Sequence, residues 1–300
     1  MQISSVVALK AHGYAGLLVI VTAEVLLFAG NPVVGKWFTP IVWTGFILFV
    51  DALVFRIERR SPLVTDRLEL LVVAVMSIAC WWLFEFYNAP RFWSSDLELW
   101  WHYQNLEPNP YLRRAGYDWA FATIFPAMFL TAEFLRATLF RGLNGRKKFR
   151  ISPPLAYLLI TVGGLAAVIP LVFISPWLVP LVWLSFALLL DPLNALRGWP
   201  SLTGDLARGD LRRLAALLAS GGVCGLLWEF WNYWATTKWT YTVPYFGSIK
   251  LFEMPVLGYL GFPPFAVSCW AMYVFGRSLL TPASHVDERN WQGVWPTASE

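Results

Sequence analysis

Residues 40–53 read PIVWTGFILFVDAL, and residues 180–193 read PLVWLSFALLLDPL. Pro40, Val42, Trp43, Phe46, Leu48, Asp51 and Leu53 return as Pro180, Val182, Trp183, Phe186, Leu188, Asp191 and Leu193, each 140 positions on. A second stretch, CWWLFEFYN at 80–88, returns as CGLLWEFWN at 224–232, now 144 positions on. It keeps Cys80/Cys224, Leu83/Leu227, Glu85/Glu229, Phe86/Phe230 and Asn88/Asn232. Polar signatures written twice inside apolar runs point to one four-helix unit, duplicated and fused. The repeat speaks to architecture and names no substrate.

Composition places that unit in a membrane. Of 300 residues, 57% are hydrophobic and 14% charged, where a soluble domain carries about a quarter charged. The 18 tryptophans suit the membrane–water interface, where an apolar ring can keep its N–H wet. A net charge of +4 is modest; its placement sets orientation and gives no reason to expect a nucleic-acid partner. Cys80, Cys224 and Cys269 lie in apolar stretches without CxxC or metal-ligand spacing, and read as small buried hydrophobes. A Cys80–Cys224 crosslink has nothing in the sequence to support it. The first apolar run follows Lys10 without a small-residue cleavage site, so it is expected to stay as a transmembrane helix.

A helix needs about 20 apolar residues to cross a bilayer core. Eight segments qualify, at roughly 14–30, 38–56, 68–88, 117–140, 155–175, 178–196, 211–234 and 255–277. Basic residues alternate between their connections. Arg56, Arg59, Arg60 and Arg67 follow span 2; Arg141, Arg146, Lys147, Lys148 and Arg150 follow span 4; Arg197, Arg208, Arg212 and Arg213 follow span 6; Arg277 follows span 8. Two of the other connections carry only Lys36, or Lys238 with Lys250, and the one at 176–177 carries none. In 89–116, Arg91, Arg113 and Arg114 are balanced by Asp96, Glu98 and Glu107. The positive-inside rule then puts both termini in the cytoplasm, with the plasma membrane as the location.

Four spans per copy is an even number, so both copies enter from the same side. The expected fold is an all-α integral membrane protein of eight transmembrane helices. They form two tandem parallel four-helix repeats, related by a pseudo-two-fold axis along the membrane normal, not inverted. Residues 1–150 form the first repeat with its basic linker, 151–277 the second, and 278–300 a cytoplasmic tail. Connections 89–116 and 235–254 are rich in Trp, Tyr and Pro. Trp101, Tyr103 and Pro126 match Trp239, Tyr241 and Pro264 at an offset of 138. These connections read as Trp-rich outer caps, since non-helical backbone at that depth needs protein or water beside it.

The candidate ligand-binding residues are Glu85 with Asn88 and Glu229 with Asn232. Spacing of i and i+3 puts each pair on one helix face. A glutamate near a helix C-terminus faces the negative end of the dipole and needs a compensating partner. That partner is either a ligand, such as a cation, a proton or a polar head group, or the outer cap itself. Asp51 and Asp191, near the inner ends of spans 2 and 6, are read as ion pairs with Arg56 or Arg197, or as an inner proton relay. Glu133 and Arg136, absent from the copy, form a local pair. Glu24 is alone in span 1, either protonated by desolvation or facing another chain. Asp96, Glu98 and His102 form a weak metal candidate that the second cap lacks. Glu253, just before Pro255, is expected to cap span 8, and Gly258, Gly261, Pro263 and Pro264 to interrupt that span. Arg146, Lys147, Lys148 and Arg150 should meet anionic lipid.

Absences narrow the function. His12, His102 and His285 all fall outside the spans, so no cofactor is expected to be bound through histidine, while lipids or other hydrophobic molecules remain as ligands. No span carries a lysine for a retinal Schiff base, and P-loop, GxSxG and HExxH motifs are missing. Three functions compete. The leading one is an accessory or structural subunit, or a lipid- or pigment-contacting component, of a larger membrane complex, with lipids and other membrane subunits as partners. The second is a transporter of a small cation, proton or polar-headed ligand through the Glu–Asn pairs. The third is a membrane enzyme acting on a lipid or isoprenoid, with Glu85 or Glu229 as general acid or base.

Overall fold

The computed structural model describes residues 8–89, 99–244, 246–280 and 293–295. The chain is mostly helical, with no closed sheet among the described residues. Helix α1 (Ala11–Phe28) precedes α2 (Pro32–Glu58). Asn31 caps α2 by accepting from the Val33 and Val34 N–H groups, with Pro32 at the first turn, where a missing N–H costs nothing. Pro40 lies inside α2, and the helix breaks at Trp37 (φ −103°, ψ 16°). The pyrrolidine ring crowds the carbonyl four residues back, and that relieves itself as a kink. A short turn, α3 (Pro62–Thr65), leads to α4 (Arg67–Asn88).

The fourth expected span is not one helix. It divides into α5 (Pro110–Ala122) and α6 (Ile124–Ala137) at Thr123. Ser77 of α4 bridges the break: its hydroxyl donates to the Phe121 carbonyl at 2.5 Å and accepts from the Phe125 N–H at 3.0 Å. In the second half, α7 (Pro153–Val172), α8 (Val179–Leu196), the short α9 (Leu202–Arg208) and α10 (Arg212–Trp234) follow in order. Pro180 begins α8 instead of kinking it, because a 3-10 turn at Pro176–Leu178 stands where α2 has a further helical turn. The eighth expected span is likewise shortened. Val256–Gly261 is a 3-10 turn, and α11 (Phe262–Leu280) starts after it, with Pro263 and Pro264 in its first turn.

Seven helical stretches, counting α5 with α6, are long and apolar enough to cross a membrane, among the described residues. α11 falls outside that set. It carries two prolines and Arg277, and its residues from Phe265 to Val274 are all buried. α6 is buried over a still larger share of its length. These two helices form the centre, with α2, α4, α8 and α10 around them and α1 and α7 outermost. α1 and α7 approach their partners closely. A Cβ on Gly16 would lie 2.5 Å from the Gly45 carbonyl oxygen, and one on Gly163 would lie 2.4 Å from the Leu189 nitrogen. Their far faces expose Leu18, Val21, Val25, Leu158, Leu165 and Val172, an apolar surface of the kind lipid covers.

The two Trp-rich connections meet each other. Strand β1 (Trp101–Gln104) pairs antiparallel with β2 (Lys238–Tyr241), placing Trp101 opposite Tyr241, His102 opposite Thr240 and Tyr103 opposite Trp239. A small hairpin, β3 (Lys250–Leu251) with β4 (Met254–Pro255), lies beside it. At the opposite end of the bundle, Asp51 and Asp191 receive different partners from those expected. Asp51 accepts from the Ser61 hydroxyl (2.8 Å) and the Leu63 N–H (3.0 Å), with His12 Nε2 at 3.0 Å. Asp191 accepts from the Leu202 N–H (2.6 Å) and from Thr203 through both N–H and hydroxyl. Each aspartate therefore holds the start of the next short helix. Arg197, an expected partner, donates to the Ser278 hydroxyl instead.

Glu133 and Arg136 do pair, at 2.5 Å. Glu133 also accepts from the Val294 N–H at 2.7 Å, and Trp270 Nε1 donates to the Val294 carbonyl at 2.7 Å. Val294 and Trp295, expected in a cytoplasmic tail, are buried. Arg146, Lys147, Lys148 and Arg150 are exposed. Their connection is tied down by backbone bonds from Arg146 to Gly209 and from Phe149 to Leu206.

Candidate functional site

The ribbon of β1 and β2 roofs a cavity of about 720 Å³ between the two halves of the chain. Its walls are aromatic. Trp43 from α2, Trp81 from α4, Trp183 from α8, Trp228 from α10 and Phe265 from α11 line it, under Trp101, Tyr103, Trp239 and Tyr241 of the ribbon. The rings hold each other. Trp183 stacks on Phe84 at 5.4 Å between centroids and on Trp101 at 6.0 Å, and Trp43 packs against Trp228 and Trp231, each at 5.0 Å. Such ring pairs add about 0.5–1.5 kcal/mol each beyond area burial. Further lining comes from Lys36, Glu107, Arg113 and Lys238. Lys36 pairs with Glu107 at 2.9 Å and Lys238 with Glu253 at 2.7 Å. Glu253 is thus an ion-pair partner, not the helix cap expected of it. Hydrogen bonding by Lys36 holds the Glu107 carboxyl below the usual range.

The structure separates the members of each Glu–Asn pair by role. Asn88 Oδ1 accepts from the N–H groups of Trp100 (2.8 Å) and Trp101 (3.1 Å), while its amide donates to the Trp101 carbonyl (2.9 Å). Asn232 does the same to Trp239, accepting from its N–H at 2.9 Å and donating to its carbonyl at 2.8 Å. Both asparagines clamp the ribbon backbone.

The glutamates differ from each other. Glu85 Oε1 accepts from Trp81 Nε1 (2.9 Å), Trp101 Nε1 (3.2 Å) and the Tyr103 hydroxyl (2.5 Å). Glu229 Oε1 accepts from the Tyr241 hydroxyl (2.6 Å), which in turn accepts from Trp239 Nε1 (2.6 Å). Burial, followed by the adjacent carboxylate, raises both tyrosines well above their ordinary pKa, so each keeps its proton and donates it.

Glu229 Oε2 has no hydrogen-bond partner among the described residues, although the residue is 0% exposed. One position distinguishes the surroundings of the two glutamates. Trp81, the extra donor to Glu85, corresponds at the 144 offset to Gly225. Gly225 has no side chain to donate, and the Phe262 ring fills the space, 2.3 Å from where a Cβ would sit. Trp43 Nε1 is a second orphan, on a residue that is also 0% exposed. An unpaired buried donor or acceptor costs about 1–3 kcal/mol. Here one of each lines the same cavity. Glu85 does not line it.

The remaining candidates lie elsewhere. Glu24 accepts from Trp231 Nε1 at 2.9 Å, so it is tied to α10 of its own chain. His102 Nε2 lies 2.6 Å from the Thr242 hydroxyl. Asp96 and Glu98 lie outside the described residues, among which no metal-ligand cluster occurs. The three cysteines are free thiols, and Cys224 and Cys269 are buried. Sequence reasoning passed over Trp43, Tyr103 and Tyr241 as binding groups, taking them as markers of the repeat. The signal that could have found the site is the mismatch of Trp81 with Gly225 beside a matched glutamate.

These features are those of an apolar, helical, Trp-rich chain, consistent with a polytopic membrane protein. No protein family, curated protein or solved structure matches it.

Proposed function

We propose that the protein is a lipid- or pigment-contacting component of the plasma membrane that holds an elongated apolar molecule in the aromatic cavity beside Glu229. The observation that carries this reading is the cavity itself: about 720 Å³, walled mainly by indole and phenyl rings, with two glutamates in its lining, Glu107 paired with Lys36 and Glu229 without a cation partner among the described residues. Apolar lining with few polar groups is the signature of a small-molecule site. Transport through paired Glu–Asn sites is less well supported, because Glu85 is outside the cavity and both asparagines are committed to the ribbon. A membrane enzyme acting on a lipid or isoprenoid is the second reading. It draws on Glu229, since a carboxyl beside an apolar cavity can act as general acid or base.

The framework of this reading is eight spans in two parallel repeats, with both termini cytoplasmic. The ribbon register supports the two-fold relation. His102 sits opposite Thr240, its own counterpart at the 138 offset, and Trp101 and Tyr103 exchange partners accordingly. The aromatic contacts support it too, since Trp43 on Trp228 and Trp183 on Phe84 are equivalent pairs under the repeat offsets. Arg146, Lys147, Lys148 and Arg150 would then face anionic lipid, and the apolar outer faces of α1 and α7 would face lipid or other membrane subunits.

The test is organic extraction and mass spectrometry of the protein purified in mild detergent. The expected result is a co-purifying apolar molecule at near-stoichiometric level. Ala120→Phe, which places a ring in the cavity, should reduce it at least several-fold, while Leu18→Phe on the lipid-facing side of α1 should not. Equal retention by both variants would place the molecule outside the cavity.

A further inference from the structure

We infer that the occupant of this cavity bears a hydroxyl group, held between Trp43 Nε1 and Glu229 Oε2. The inference rests on the binding reading above and specifies its chemistry. Both atoms are fully buried, both lack partners among the described residues, and both residues line the same cavity. They also share one locality. The Trp43 ring lies 5.0 Å from the rings of Trp228, which directly precedes Glu229 on α10, and Trp231, two residues after it.

Their chemistry is complementary. An indole N–H is a donor only, and a carboxylate oxygen is an acceptor. A hydroxyl satisfies both at once, accepting from Trp43 and donating to Glu229. An ammonium group can donate to Glu229 but offers Trp43 no lone pair. A carbonyl can accept from Trp43 but leaves Glu229 Oε2 empty. A hydrocarbon leaves both orphans buried. The rest of the cavity is aromatic and has room for a long unsaturated chain. The class is therefore a long-chain or isoprenoid alcohol.

Only the second copy provides this arrangement. Glu85 Oε1 accepts from Trp81, Trp101 and Tyr103, whereas Glu229 Oε1 accepts from the Tyr241 hydroxyl and Gly225 offers no side chain in place of Trp81. The duplication thus supplies a scaffold carboxyl in one half and a binding carboxyl in the other.

The experiment is a titration of the delipidated full-length protein in nanodiscs, read by intrinsic tryptophan fluorescence. Three twenty-carbon isoprenoid probes of the same skeleton are used: the alcohol, the primary amine and the hydrocarbon. The alcohol should bind roughly tenfold or more tighter than the hydrocarbon, as two satisfied hydrogen bonds require. Trp43→Phe deletes the donor and also trims the ring, so the ratio of alcohol to hydrocarbon affinity is the readout. Glu229→Gln keeps an oxygen for Tyr241 and turns an N–H toward the cavity. Each variant should bring the preference for the alcohol over the hydrocarbon to within about twofold.

Equal binding of alcohol and hydrocarbon to the wild type would overturn the hydroxyl assignment and leave the cavity reading intact. Tighter binding of the amine would overturn it in favour of a cation site. Variants that weaken alcohol and hydrocarbon by the same factor would show a packing role instead. Failure of all three probes to bind would remove the binding reading along with the inference.

Discussion

Glu85 and Glu229 occupy matching places in two similar stretches of sequence, yet their surroundings differ. Glu85 collects two indole N–H groups and a phenol on one oxygen. Glu229 depends on the Tyr241 hydroxyl, which also relays Trp239 Nε1. The loss of one phenol should therefore be felt unequally. Tyr103→Phe leaves Glu85 two donors. Tyr241→Phe leaves Glu229 with neither oxygen bonded and strands Trp239 Nε1. The expected result is that Tyr241→Phe lowers stability by about 1–3 kcal/mol more than Tyr103→Phe. Thermal unfolding of the two variants in the same detergent measures the difference, and equal losses would contradict the asymmetry. The asymmetry was legible in the sequence, as Trp81 against Gly225, but its meaning needed the geometry. Only the structure shows that Phe262 takes the vacated space and that Trp43 Nε1 shares the cavity.

At the level of elements, the sequence offsets match residues of α2 with residues of α8, and residues of α4 with residues of α10. They could not show that equivalent prolines act differently. Pro40 kinks a helix that already has two turns before it, while Pro180 starts one, because Pro176 diverts the preceding chain into a 3-10 turn. The break at Thr123 was equally hidden. Residues 117–140 contain one proline, Pro126, which falls at the third position of α6 and suits a helix start. What stabilises the break is Ser77, forty-odd residues earlier, inserted between the Phe121 carbonyl and the Phe125 N–H. Periodicity within one span carries no information about a hydroxyl supplied by another. Ser77→Ala should leave both backbone groups buried and unpaired, at a cost of about 2–4 kcal/mol. Ser77→Cys, which can make only weak bonds, should fall between the alanine variant and wild type. If the alanine variant unfolds at the wild-type temperature, the break does not need the serine.

Across the whole molecule, the two ends of the bundle are closed by different means. At the ribbon end, the strands of the two halves pair with each other and the asparagines lock them to α4 and α10. At the opposite end, closure comes from Gly293–Trp295, a segment far along the chain from the α6 and α11 residues it joins. Val294 donates to Glu133 and accepts from Trp270, and both Val294 and Trp295 are buried. From sequence, the only sign of this was an apolar Val-Trp pair within a polar tail, and a tail lies outside any pattern of spans or repeats. The physical consequence is specific. Removing the segment leaves Glu133 Oε2 and Trp270 Nε1 without those bonds and uncovers the surface that Trp295 shields. Two lost partners at about 1–3 kcal/mol each, with the apolar burial of a valine and a tryptophan added, make a loss of several kcal/mol. A chain ending at Leu280 should therefore unfold well below the full-length protein in a thermal scan, while a chain ending at Trp295 should match it. Trp295→Ala in the full-length chain should give an intermediate loss, which separates the contribution of the buried ring from that of the missing chain. A chain ending at Leu280 that is as stable as the full-length protein would mean that α6 and α11 hold that end of the bundle without the segment.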